Sequence, residues 1–239
     1  MDAAMDMRSL EWATMAQAQE GHRLYGLYPA TVVKIKDDPD SQGRVRVTLP
    51  WSPDGRSSYE AWARLATLMG GDKRGTWFIP DVGDEVLVGF EAGDPRHPYV
   101  VGGLWNGKDA PPETMDGAGK NDKKVIVSRR DIRIILDDAQ GQETLTLQTP
   151  GGQKVILADG SASIEITDSN GNSLKMDSSG ITLRTSGTLT IQANTVSETA
   201  GSVTVNTPSA TFSGMVNSQT NITTTTISSI YSPGAGNIW

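Results

Sequence analysis

A handful of short stretches carry side chains that could do chemistry. Asp37, Asp38 and Asp40 put three carboxylates within four residues, the oxygen-rich grouping that a hard cation such as calcium takes. Pro39, Ser41 and Gly43 are interleaved with them, and the preferred reading is a turn. Asp168-Ser169-Asn170-Gly171-Asn172 has part of the oxygen spacing of a calcium loop. It lacks a bidentate Glu at the expected distance, and a β-turn is preferred. Asp137-Asp138 offers two acids for sugar cleavage. Adjacent residues on a strand face opposite ways, so the two would not share a substrate. Gly117-Ala118-Gly119-Lys120 hints at a phosphate loop but has no Ser or Thr after the Lys and not the full spacing. Trp51, Trp62 and Trp77 could stack nucleic-acid bases, but packing in a core or between subunits is preferred. His97 is read as a structural loop residue. With no Cys, thiol catalysis, disulfides and Cys-based zinc sites are excluded. No catalytic residue, cofactor or metal site is expected.

The elements around these stretches are more informative than the stretches themselves. From about Gln142 onward the chain is a ladder of short alternating segments. It runs Thr144-Leu145-Thr146-Leu147, Val155-Ile156-Leu157, Ile164-Glu165-Ile166, Leu174-Lys175-Met176, Ile181-Thr182-Leu183, Leu189-Thr190-Ile191 and Val203-Thr204-Val205. Apolar anchors recur every seven to ten residues or so, a spacing that reads as too short for ordinary hairpins and right for stacked short strands. Each segment offers only two or three apolar side chains on one face. A single chain would bury little this way, so neighbouring chains are expected to complete the structure as a rod.

Charge and aromatics are unevenly spread. The net charge is −7 over 239 residues, which argues against a general nucleic-acid binder. No aromatic residue lies between Trp105 and Phe212, and no Lys or Arg follows Arg184. The far end is nearly neutral and rich in small hydroxylated residues. No apolar run reaches the roughly 20 residues that span a membrane. Met1 to Arg8 lacks the basic start and apolar core of a signal peptide, so the product is expected to be soluble and made in the cytoplasm.

Residues 1–24 read as a short docking helix or arm. Residues 25–110 read as a small β-barrel of five or six strands, among them Thr31 to Lys36, Arg44 to Leu49, Ala61 to Leu65, Gly75 to Pro80, Asp84 to Phe90 and Tyr99 to Trp105. Residues 111–124, rich in Gly, Pro, Asp and Lys, are a linker. Residues 125–239 are the repeat region.

The barrel segment carries an ordered set of motifs. They are Asp38-Pro39-Asp40-Ser41-Gln42-Gly43-Arg44-Val45-Arg46-Val47, Ala61-Trp62-Ala63-Arg64, Phe78-Ile79-Pro80-Asp81-Val82-Gly83-Asp84-Glu85-Val86-Leu87-Val88, and Gly93-Asp94-Pro95-Arg96-His97-Pro98-Tyr99-Val100-Val101-Gly102. This set resembles the OB-fold domain of the central spike proteins of contractile injection machines, the family of phage baseplate assembly protein V and the VgrG proteins of type VI secretion. The repeat that follows resembles the family's intertwined, triple-stranded β-helix.

The resemblance implies an all-β, non-enzymatic homotrimer: an OB barrel followed by a β-prism with its apolar residues toward the axis. It implies a baseplate hub protein as partner and the target cell envelope as the surface to be pierced on sheath contraction. A phage virion tail is the favoured setting. The chain leaves no room for the lysozyme domain, hub or effector that some relatives carry. Its two histidines, His22 and His97, both precede the rod, so the iron-binding His-x-His apex of some short spikes is not expected. A separate PAAR-type tip protein is expected instead, contacted by Tyr231, Pro233, Ile238 and Trp239. Two other readings compete: a trimeric fibre that binds or cleaves surface polysaccharide, and an OB nucleic-acid module with a disordered acidic tail. The aromatic-free rod speaks against the first and the charge against the second.

Overall fold

A computed structural model describes residues 23–50, 58–225 and 227. The structure is all-β: among the described residues the only helical turn is a single 3-10 turn, Glu91–Gly93. The proposed N-terminal helix falls on residues 1–24, nearly all of which lie outside the described residues.

The chain divides into two units, Met1–Thr188 and Leu189–Trp239. The first begins with a closed barrel. Its strands are β1 (Leu27–Lys34), β2 (Val45–Leu49), β3 (Tyr59–Leu65), β6 (Glu85–Phe90) and β7 (Pro98–Gly103), in the order β1-β2-β3-β7-β6. All neighbours are antiparallel except β3 and β7, where Arg64 faces Tyr99 and Leu65 faces Val100 in parallel register. That one parallel contact closes the barrel and removes its free edges. Period-two alternation sends one side of each strand inward. Val45, Val47 and Leu49 of β2 are buried, as their spacing predicts, and they meet Ala30, Val32, Ala63, Val86, Val88 and Val100. These are small residues, suited to the narrow interior of a five-stranded barrel.

The expected strand from Gly75 to Pro80 is not formed. Two-residue strands β4 (Gly70–Gly71) and β5 (Arg74–Gly75) make a small hairpin, and residues 76 to 80 run on outside any ladder. Pro80 has no N–H to donate. Trp77 and Phe78 are exposed, at 75% and 73%, while Ile79 packs against the barrel core without joining a strand.

Seven strands of five residues each follow: β8 (Lys123–Val127), β9 (Arg133–Asp137), β10 (Thr144–Gln148), β11 (Lys154–Ala158), β12 (Ser163–Thr167), β13 (Ser173–Asp177) and β14 (Gly180–Arg184). They form one antiparallel sheet in chain order. Consecutive segments are therefore hairpins after all. Tight turns built on Asp and Gly make this possible: the Asp168 carboxylate accepts the N–H groups of Asn170 and Asn172, and Gly171 takes φ 86°. Arg129 bridges from the first turn of the sheet to Asp81 of the barrel segment at 2.6 Å.

In the second unit the described residues carry no strand and are all exposed. Leu189 to Ile191 and Val203 to Val205, read from sequence as strand segments, have no ladder partner within the chain. Locally, Thr207 and Thr223 each hydrogen-bond the residue two positions on.

Candidate assembly surface

Strand register converts the repeat into a surface. Leu136, Leu145, Leu157, Ile164, Met176 and Ile181 stand opposite one another in sequence across β9 to β14. Two residues along each strand, Ile126, Ile134, Leu147, Val155, Ile166, Leu174 and Leu183 make a second row on the same face. Lys124 alone interrupts the first row, opposite Leu136. The other face is mixed. Its middle row runs Val125, Ile135, Thr146, Ile156 and then turns charged at Glu165 and Lys175.

The apolar face is not covered within the chain. Ile134, Leu136, Leu147, Leu157, Ile164 and Ile166 are 37% to 44% exposed, and Ile181 and Leu183 more so. Residues of the second row, from Ile134 to Leu183, with Gln148 and Lys154 at the margin, line an open groove along the sheet. Thirteen unpartnered aliphatic side chains on one flat face far exceed the scattered apolar residues of an ordinary surface. Such a face is an interface.

The chemically suggestive stretches resolve into turns. Asp38 accepts the backbone N–H groups of Asp40, Gln42 and Arg44, and the Arg44 guanidinium at 2.9 and 2.6 Å. The Arg44 side-chain bond, with those N–H groups, holds the Asp38 carboxyl well below the usual carboxylate range. The lone pairs a cation would need are already used. In the Asp168 turn, hydrogen bonds from Asn172 and Asn170 likewise lower the carboxyl pKa. Asp116 accepts the N–H groups of Ala118, Lys120 and Asn121. The donors a phosphate loop would offer are thereby consumed. Asp137 caps Ala139 while Asp138 pairs with Lys124 at 3.2 Å, so the two acids share no site. His97 sits in a loop with Asp94: its N–H donates to the Asp94 carbonyl and its Nδ1 lies 3.2 Å from the Asp94 carboxylate. Bonds from Arg96 are the main cause of the depressed Asp94 pKa. Among the described residues no group of three acids or histidines could hold a metal.

Trp62 is half-buried on β3 and Trp77 is exposed, whereas Trp51 lies outside the described residues. Tyr231, Pro233, Ile238 and Trp239, expected at the tip contact, also lie outside them. Phe212 is exposed in the second unit. The reading of the sequence did not single out Arg129, although its doublet with Arg130 next to the first strand of the sheet was visible.

An OB-like barrel joined to a sheet with an unsatisfied apolar face defines a class of protein that completes its core by association. Two family models agree with this. The type VI secretion system/phage-baseplate injector OB domain matches residues 28–105, and the phage baseplate V C-terminal trimerisation domain matches residues 144–211. The chain belongs to the phage baseplate V and VgrG family. It is 32% identical over 111 residues to the actin cross-linking toxin VgrG1 of Vibrio cholerae, covering 44% of this chain and 10% of that protein. It is 41% identical over 75 residues to the type VI secretion system spike protein VgrG5 of Pseudomonas aeruginosa, covering 30% and 10%. The spike protein VgrG3 of Vibrio cholerae is 30% identical over 120 residues, covering 49% and 11%. The chain thus spans about a tenth of the length of these curated relatives.

Proposed function

We propose that the protein is the structural central spike of a contractile injection apparatus, working as a homotrimer. The observation that carries this reading is the pair of apolar rows on the sheet, left open in one chain, with β10 to β14 inside the region matched by the trimerisation model. Three such faces turned inward make a prism with a dry axis and hydroxylated or charged flanks. Covering the remaining exposed part of these side chains contributes about 25 cal/mol per Å² of apolar surface removed from water, which offsets the entropy of bringing three chains together.

In this reading the barrel end attaches to a hub, and the alternating segments of the second unit find ladder partners in neighbouring copies. Sheath contraction supplies the work, and the protein supplies stiffness and shape. The nearly uncharged stretch after Arg184 suits entry into an envelope, because each charge carried into hydrocarbon costs about 2.5–3.5 kcal/mol on insertion scales. A phage tail baseplate is the favoured setting, and a PAAR-type protein on the C-terminal segment is the proposed tip. The chemistry of the Asp38, Asp116 and Asp168 turns, whose carboxylates are engaged in holding the backbone, fits a mechanical role.

The test is solution mass by light scattering, repeated after limited proteolysis. A trimer whose residues beyond about 125 resist digestion is expected. A monomer that rapidly loses that region overturns the proposal.

A further inference from the structure

The hairpin geometry sorts the charges of the sheet onto two opposite edges. Strand direction alternates, so every second turn falls on the same side. One edge carries Arg133, Lys154 and Arg184 at the strand ends and Arg130 in the first turn, with Asp131 and Asp168 as its acids. The opposite edge carries Asp137, Asp138, Glu143, Asp159 and Asp177, with Lys123 and Lys124 at its start. One edge is basic and the other acidic.

In-chain pairing does not account for this separation. Arg133 bonds its neighbour Asp131, and Asp177 bonds Lys175. Lys154, Arg184 and Asp159 have no ion-pair partner within the chain among the described residues. These three charges sit at or beside the ends of β11 and β14.

We propose that the basic edge of each copy docks against the acidic edge of the next, in a head-to-tail ring that closes after three copies. This rests on the homotrimeric reading above and adds its interface chemistry. The occupant of the edge is a second copy of this chain, because the two edges are complementary in charge and in position. When three sheets face one axis, a given strand lies level with the same strand of its neighbour. Arg133 then meets Asp137 at the level of β9, Lys154 meets Asp159 at the end of β11, and Arg184 meets Asp177 at the β13–β14 corner. A cyclic arrangement uses two different surfaces per copy, one on each side. The apolar face supplies affinity without direction, since aliphatic contact is indifferent to a slip along the axis. The charged corners set register and discriminate against a shifted or inverted neighbour, in which like charges would meet.

Lys154 and Asp159 are the cleanest pair to test, because neither side chain holds a turn within the chain. The full-length protein is used. Lys154→Glu sets an acid against Asp159 of the neighbour, and Asp159→Lys sets a base against Lys154 of the neighbour. Each variant, expressed alone, should form trimers that dissociate about tenfold or more readily than the parent, three surface pairs having been reversed at once. The combined K154E/D159K variant should recover the parental behaviour. Co-expression of the two single variants, read by native mass spectrometry, should give mixed trimers above the statistical proportion, since a mixed ring replaces two of three repulsive corners by attractive ones. Mixed trimers at the statistical proportion, or a combined variant no better than the singles, overturn the edge pairing and leave the homotrimer standing. A parental protein that is not trimeric overturns the homotrimeric reading itself, and the pairing with it.

Discussion

Asp38 shows how a single residue turns a suggestive sequence into architecture. Its carboxylate gathers three backbone N–H groups and a guanidinium, so the acidic cluster is a clasp between β1 and β2. The sign of its titration follows. Its carboxyl is depressed below the ordinary value of 3.8. The stabilisation is therefore present in full above that pH and is lost as pH falls toward the lower, folded-state value. Barrel stability should decline on acidification below about pH 4, and Asp38→Asn should flatten that decline while lowering stability at neutral pH. Urea unfolding followed by tryptophan fluorescence across pH 2.5–7 checks both. Sequence made the turn legible, since Asp, Pro and Gly at that spacing have few other uses. It did not show that Arg44 would be the partner, because Arg44 and Arg46 look alike in an alternating strand. Arg44 lies just before β2 and reaches back to the turn, whereas Arg46, within β2, meets Glu60 on β3.

At the scale of the element, barrel and sheet have different kinds of core. The barrel's is internal: Leu49 is 1% exposed among valines and alanines. Leu49→Ala should cost about 2–5 kcal/mol in barrel stability, measured by chemical denaturation, with the oligomeric state unchanged. The sheet's core is external to the chain. Leu147→Asp, on the apolar face, should therefore yield monomer by light scattering, with the tryptophan-bearing barrel still folded by near-ultraviolet circular dichroism. Thr182→Asp, on the opposite face of β14, should remain a trimer. Trimers from Leu147→Asp would place the subunit contact elsewhere. The alternating pattern announced the two rows well, because period two survives any error in strand ends. Hairpin pairing was harder to foresee. Apolar anchors spaced so closely leave few residues for both strand and turn, and the solution depends on strands of only five residues joined by Asp-anchored turns. The segment from Gly75 to Pro80 was misread for the opposite reason. Trp77, Phe78 and Ile79 have strong strand propensity, yet no neighbouring strand edge is available to them.

For the whole molecule, hydrogen bonding divides the chain more sharply than composition does. Up to Arg184 the strands find their ladders within the chain, each sheet strand pairing with the next across a turn of two to six residues. From Leu189 onward the described backbone has no ladder at all, though the alternation of apolar and hydroxylated residues continues. Sequence could not reveal this boundary, since Leu189-Thr190-Ile191 and Ile181-Thr182-Leu183 are nearly the same words. It bears on how the protein comes into being. The meander is made of contacts between near neighbours, the kind that forms fast and without help. Polymerised threonine and serine after Arg184 have no such local reward, and their order must await an encounter. Refolding of the full chain should thus show a rapid phase independent of protein concentration, from barrel and meander, and a slower one that accelerates as the protein is concentrated. Stopped-flow and manual-mixing fluorescence over a hundredfold concentration range would separate them; a single concentration-independent phase would count against the division. A ribosome would release each copy with barrel and meander ready and the described stretch from Leu189 waiting, so that the timing of maturation is set by how many sister chains are nearby.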